Sequence, residues 1–139
     1  LTNTSAAGSA AGEPGEPAAE EHTHEEVFNR QDLMERLMGE RELFQDVLQT
    51  FMQEIPDQVD MLADACREED FGEAQRLAHT IKGASANIGA SRMSETALQV
   101  ENAARSSDAS MLRAAKTDLE LELERLLGVL QQELHPGSD

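Results

Sequence analysis

Apolar residues recur every three or four positions through two long stretches of this chain. Phe44, Val47, Leu48, Phe51, Ile55, Val59, Leu62 and Cys66 form one series. Leu112, Ala115, Leu119, Leu123, Leu126, Leu130 and Leu134 form the other. At about 100° per residue each series falls on one side of a helix. A helix with such a stripe must bury it against another element. Aromatic residues make up only 3% of the chain, with no Trp and no Tyr. The core must come from Leu, Met, Ala, Val and Ile with four Phe. That composition suits packed helices better than a β-sandwich, which favours β-branched and aromatic residues.

Residues 1–26 hold Ala, Gly, Ser, Pro and six Glu, without Lys or Arg. They show no periodicity and read as a disordered acidic linker. Residues 27–135 are expected to form one domain. A short N-terminal helix opens it, with Asn29 as N-cap and a stop at Gly39. Phe28 and Leu33 are placed for a hydrophobic staple. The next helix runs from about Glu40 to Glu68, bent by Pro56. Asp70, with Glu73 three residues on, caps a third helix that ends at Gly89. Ser91 is expected to cap a fourth, to about Ser106, with Met93, Ala97, Val100 and Ala104 inward. Ser107-Asp108 opens the last, to about Leu134, with Glu120, Glu122 and Glu124 on the water side and Gly128 at a place of close packing. Residues 136–139 read as a frayed tail. Short connections between long helices predict an all-α, antiparallel up-down four-helix bundle led in by the short N-terminal helix.

A net charge of −17 argues against nucleic acid or an anionic membrane surface as partner. Cys66 is the single cysteine, so no intramolecular disulfide forms, and its place in the apolar stripe makes it a small core residue. No apolar run approaches the roughly 18 residues of a membrane span. No signal-peptide pattern opens the chain, and a cytoplasmic location is expected. The chain opens on Leu1 rather than Met, so it is expected to be a piece of something longer.

The chemistry concentrates in Ala78-His79-Thr80-Ile81-Lys82-Gly83-Ala84-Ser85-Ala86-Asn87-Ile88-Gly89-Ala90. On a helix, Leu77, Ala78, Ile81, Ala84, Ser85 and Ile88 share one side, and His79, Lys82, Gly83 and Ala86 the other. His79 is then in water, with Lys82 at i+3 and Gly83 at i+4 as surface neighbours. An imidazole with an unperturbed pKa of roughly 6.5 is a nucleophile near neutrality. A phosphoryl group placed on it carries about two negative charges, and Lys82 supplies a cation on the same face. Gly83 costs the helix roughly 1 kcal/mol against Ala and suggests close approach of another body. Arg76, three residues before His79, is a candidate second cation or a solvated charge. Gln75, at i−4, could hydrogen-bond near the ring. The bland reading of the set is a surface His beside a surface Lys.

The string resembles the histidine-containing phosphotransfer (HPt) family, whose pattern reads Ala-His-x-Leu-Lys-Gly, small residues, a hydrophobe, Gly and Ala. Ile81 stands where Leu is commoner, and Ala84 where Ser is common. Phe51-Met52-Gln53-Glu54-Ile55-Pro56 resembles that family's Phe-x-x-Glu-x-Pro, and the resemblance extends over roughly residues 28–134. It implies that His79 is the phosphoryl acceptor, that Lys82 stabilises the phosphoryl oxygens and that Gly83 clears room for a docking partner, with Gln75, Arg76 and Ala86 on the same docking face. Some relatives hold the other ring nitrogen with a polar residue at the place of Glu101. Glu101 is thus either an orienter of the imidazole or a helix-surface acid, and Gln99 is a nearby substitute.

The resemblance implies a phosphorelay intermediate, acting as a monomer, that exchanges its phosphoryl group with the Asp of a receiver domain of a response regulator or hybrid sensor kinase. No cofactor or metal of its own is implied; Mg²⁺ belongs to the receiver. There is no Gly-x-Gly or Walker pattern, so the chain carries a nucleophile without a visible energy source, as a carrier rather than an enzyme would. The acidic linker suggests the C-terminal module of a hybrid sensor kinase, tethered to a membrane sensor. The alternatives are the phosphoacceptor domain of a chemotaxis-type histidine kinase and a helical adaptor that is never phosphorylated.

Overall fold

The computed structural model describes residues 24–135, all of its regular structure helical. The elements are α1 (His24–Val27), α2 (Arg30–Arg36), α3 (Arg41–Arg67), α4 (Phe71–Ile88), α5 (Ser91–Arg105) and α6 (Ala109–Leu134). Residues 1–23, most of the expected linker, and the expected tail 136–139 lie outside the described residues. The turn α1 straddles the expected boundary at 26, so residues 24–26 are helical where a linker was expected.

Three helix starts follow from short polar caps. The side chains of Asn29, Asp70 and Asp108 accept from the amides of Asp32, Glu73 and Met111 at 3.0, 3.2 and 3.1 Å. Each satisfies an amide that would otherwise lack an intrahelical acceptor, worth about 1 kcal/mol. α5 departs from expectation. Its N-cap is Ala90, without a side-chain bond, and Ser91 is already helical. Ala90 is fully buried and donates its amide to the Ser85 carbonyl at 2.9 Å, so the backbone of the preceding turn sets the cap.

α3 runs unbroken through Pro56. Its buried side chains, Phe44, Leu48, Phe51, Ile55, Val59, Leu62, Ala65 and Cys66, continue in phase on both sides of the proline. α3 packs on α4, α4 on α5, α5 on α6, and α6 back on α3. Leu48, Leu62, Ile81, Met93, Val100, Leu112, Leu119, Leu126 and Leu130 lie wholly inside this ring. Each aliphatic side chain so buried contributes roughly 1.5–3 kcal/mol before the entropy of ordering is counted.

The N-terminal elements close one end. Phe28 and Leu33 are buried, and the Phe28 and Phe44 rings lie 6.3 Å apart. The Arg30 guanidinium sits 5.3 Å over Phe44 and pairs with Glu133 at 2.8 Å. Gly89 docks this end to the α4–α5 turn: its carbonyl accepts the Asn29 amide at 2.9 Å. Its φ of +85° is left-handed, and a Cβ there would meet the Asn29 carbonyl oxygen at 3.1 Å.

Two expectations about α6 are corrected. Glu122 is buried rather than on the water side, held by Arg92 of α5 at 3.2 Å and Arg125 at 2.9 Å. The reason is angular: it lies three residues after Leu119 and four before Leu126, on the apolar stripe. Gly128 marks no close packing, since a Cβ there would meet nothing within 4 Å. Gly128→Ala is therefore expected to raise unfolding free energy by about 0.5–1 kcal/mol in urea titration. Gly89→Ala should lower it by about 1–2 kcal/mol, through the left-handed φ and the contact with Asn29. Equal effects at the two positions would contradict this packing.

Candidate functional site

Burial of Leu77, Ala78, Ile81, Ser85 and Ile88 fixes the rotation of α4. Helical periodicity then turns His79 outward. Its side chain is 68% exposed, whereas that of Lys82 is 29% exposed. α5 lies alongside, and its inner stripe of Ala97, Val100 and Ala104 carries Glu101 with it. The Glu101 side chain is only 5% exposed.

That buried carboxylate is the centre of the site. Its Oε2 lies 3.1 Å from His79 Nδ1, and its Oε1 2.8 Å from Lys82 Nζ. A guanidinium nitrogen of Arg105, one turn on, reaches Oε2 at 3.2 Å. Glu101 thus faces Lys82 and the His79 imidazole across the α4–α5 seam, and Arg105 along its own helix. The lysine ammonium, above all, holds its carboxyl below the ordinary glutamate range. Burial opposes this, and the bond to His79 adds to the lowering.

The geometry selects a tautomer. An ionised carboxylate accepts hydrogen bonds and donates none. The neutral imidazole therefore carries its proton on Nδ1, donating to Glu101. Nε2 is left with its lone pair, on the exposed ring. A carboxylate behind an imidazole also stabilises positive charge that develops on the ring during attack.

The remaining expected residues surround this core. Gly72, Gln75, Arg76, Thr80 and Glu101 line a shallow depression with His79. Arg76 is engaged elsewhere: its guanidinium makes two hydrogen bonds to Glu73, at 3.0 and 2.7 Å, and this pairing raises its pKa. Lys82 and Ala86 line a second depression with Ser91, Ser94, Glu95 and Leu98. Gly83 is exposed, and a Cβ there would meet nothing within 4 Å. This chain itself does not need the glycine for space. Gln99 is exposed, and Glu101 makes the ring contact.

Arg105 was not singled out from sequence, although its i+4 spacing from Glu101 is a helix-pair signal. It also donates to Asn102 Oδ1 at 2.6 Å.

Because its carboxyl is depressed, Glu101 adds stability that is present above the unfolded value, about pH 4.3. That stability is lost as pH falls through the folded value. Glu101→Gln should cost about 1–2 kcal/mol at neutral pH. The gap from the parent should shrink in unfolding titrations below about pH 4. A gap independent of pH would contradict an ionised Glu101.

The Hpt domain family model matches residues 46–133, from within α3 to the last turn of α6. The matched span exceeds half of the chain and contains His79, Lys82, Gly83, Glu101 and Arg105. Searches of curated proteins and of solved structures return no match. Among the described residues no helix is long and apolar enough to cross a membrane. Hpt domains are phosphocarrier modules that serve histidine phosphotransfer in phosphorelay signalling and work with kinase and receiver domains. With the family model spanning this helical core and the His79 face, the chain belongs to the Hpt domain family.

Proposed function

We propose that His79 is the phosphoryl acceptor and that it exchanges the group with the aspartate of a receiver domain. The observation that carries this reading is the exposed ring of His79, its Nδ1 held by a buried carboxylate and its Nε2 unencumbered. Nε2 attacks the phosphorus of an aspartyl phosphate in line. The N–P bond forms as the P–O bond breaks, and the aspartate leaves as carboxylate. The Nδ1 proton stays on its hydrogen bond to Glu101. The reverse step returns the phosphoryl group.

Catalysis of this kind is mostly positioning and charge neutralisation. Lys82 is the cation of this chain placed for the phosphoryl oxygens, and the receiver brings its own Mg²⁺. Gln75, Arg76, Gly83 and Ala86 lie on the face the receiver covers. Receivers of response regulators and of hybrid sensor kinases both fit.

Support for the antiparallel up-down bundle comes from register. His79 meets Glu101 and the Lys82 carbonyl accepts from Ser94 across α4–α5, while Arg92 meets Glu122 across α5–α6. Across α4–α5 the residue farther before the turn meets the residue farther after it, and across α5–α6 Arg92 and Glu122 lie at similar distances on either side of the turn.

Transfer from a phosphorylated receiver is expected to label the parent chain and not His79→Gln, with helicity retained in both. Labelling of His79→Gln would contradict the reading. Failure to label the parent with a panel of receivers would favour an adaptor. Lys82→Ala should slow transfer by about a hundredfold, the lower end of the usual scale for loss of one charge-stabilising group. Unchanged kinetics would remove Lys82 from the reaction. Gly83→Leu should keep or raise the melting temperature, since the position is open and leucine favours helix, yet slow receiver transfer. Loss of fold instead would make Gly83 a packing residue.

A further inference from the structure

Glu101 has two oxygens and distributes them unequally. Oε2 receives both His79 and Arg105, whereas Oε1 meets Lys82 only as an ion pair at 2.8 Å and has no hydrogen-bond partner among the described residues. Arg105 is anchored a second time, through Asn102. Lys82 is a single ammonium on a flexible four-carbon stem, without a second anchor of this kind. The two cations therefore differ in what they can leave. If Lys82 turned to a phosphoryl group and Arg105 were absent, a carboxylate only 5% exposed would lose both cations while still holding the ring. Uncompensated buried charge is costly.

We propose that Arg105 is the fixed counter-ion of Glu101, a positioning residue that lets Lys82 leave the carboxylate for the phosphoryl group. This rests on the phosphocarrier reading of His79. In the free chain Lys82 is parked on Oε1. As the N–P bond forms at Nε2, Lys82 swings toward the phosphoryl oxygens. Arg105 stays on Oε2 and keeps Glu101 aimed at Nδ1, so the ring stays in register. Without Arg105, Glu101 retains Lys82, and the phosphoryl group competes for it.

The test loads the chain with phosphoramidate, a small donor that requires no partner protein. Nε2 attacks phosphorus, the N–P bond to ammonia breaks with its electron pair leaving on ammonia, and the Nδ1 proton remains in place. Loading is followed by ³¹P NMR for the parent, Arg105→Ala, Arg105→Lys, Glu101→Gln and the Arg105→Ala/Glu101→Gln double variant. Arg105→Ala should slow loading about fivefold, the size of a typical coupling between charges in contact. It should have no effect on top of Glu101→Gln, where there is no carboxylate to hold Lys82. Arg105→Lys should load within about twofold of the parent, a difference below the typical coupling for contacting charges. Equal loading of the parent and Arg105→Ala would overturn the proposal. So would the same fold-change in both backgrounds, which would mark a general surface-charge effect. Because loading uses no receiver, coupling seen here together with failure of every receiver to label the chain would sink the receiver reading and leave this inference standing.

Discussion

A carboxylate taken out of water must be compensated, and the compensation of Glu101 arranges the face that carries His79. His79, Lys82 and Arg105 converge on it from two helices. His79 is in water, but its orientation is decided by a group that is not. This division leaves the ring open on its outer side without leaving its tautomer free. A wholly exposed carboxylate in the same place would be screened and would hold the ring weakly.

The helical ring supplies the precision this requires. Neither α4 nor α5 can rotate without exposing its stripe of Leu77, Ile81 and Ile88 or of Met93, Ala97 and Val100. The seam between them is clamped at one end by Gly89, whose left-handed backbone turns the chain and accepts the Asn29 amide. α1, α2 and the link between them precede the span matched by the family model, yet that link contributes the fully buried Phe28 and, with α2, the cap on this end. Away from that clamp, the face carrying Gly83 is left open.

Much of this was legible in the sequence because it depends on angle and on local capping. The apolar periods gave the four long helices, and Asn29, Asp70 and Asp108 announced three starts. Glu101 and Glu122 were harder. Both lie at i+3 or i+4 from buried positions, on the stripes of their own helices. Residue type argued for water and angle argued for the interior, and only the cations of neighbouring turns and helices decide between them. Arg92 and Arg125 retain Glu122, and Lys82 and Arg105 retain Glu101. Ser91 failed as a cap for a related reason: the buried Ala90 backbone was already committed to Ser85. Side-chain preference describes an isolated terminus and not one docked against a neighbour.

If Glu101 holds Nδ1, as proposed, Nε2 is left as the acceptor. Long-range ¹H–¹⁵N correlation on the phosphorylated, ¹⁵N-histidine-labelled chain reads this directly. Phosphorus is expected to couple to Nε2 of His79, with a proton on Nδ1. A phosphoryl group on Nδ1 would contradict it, because the contact between His79 and Glu101 could not then persist in the phosphorylated chain.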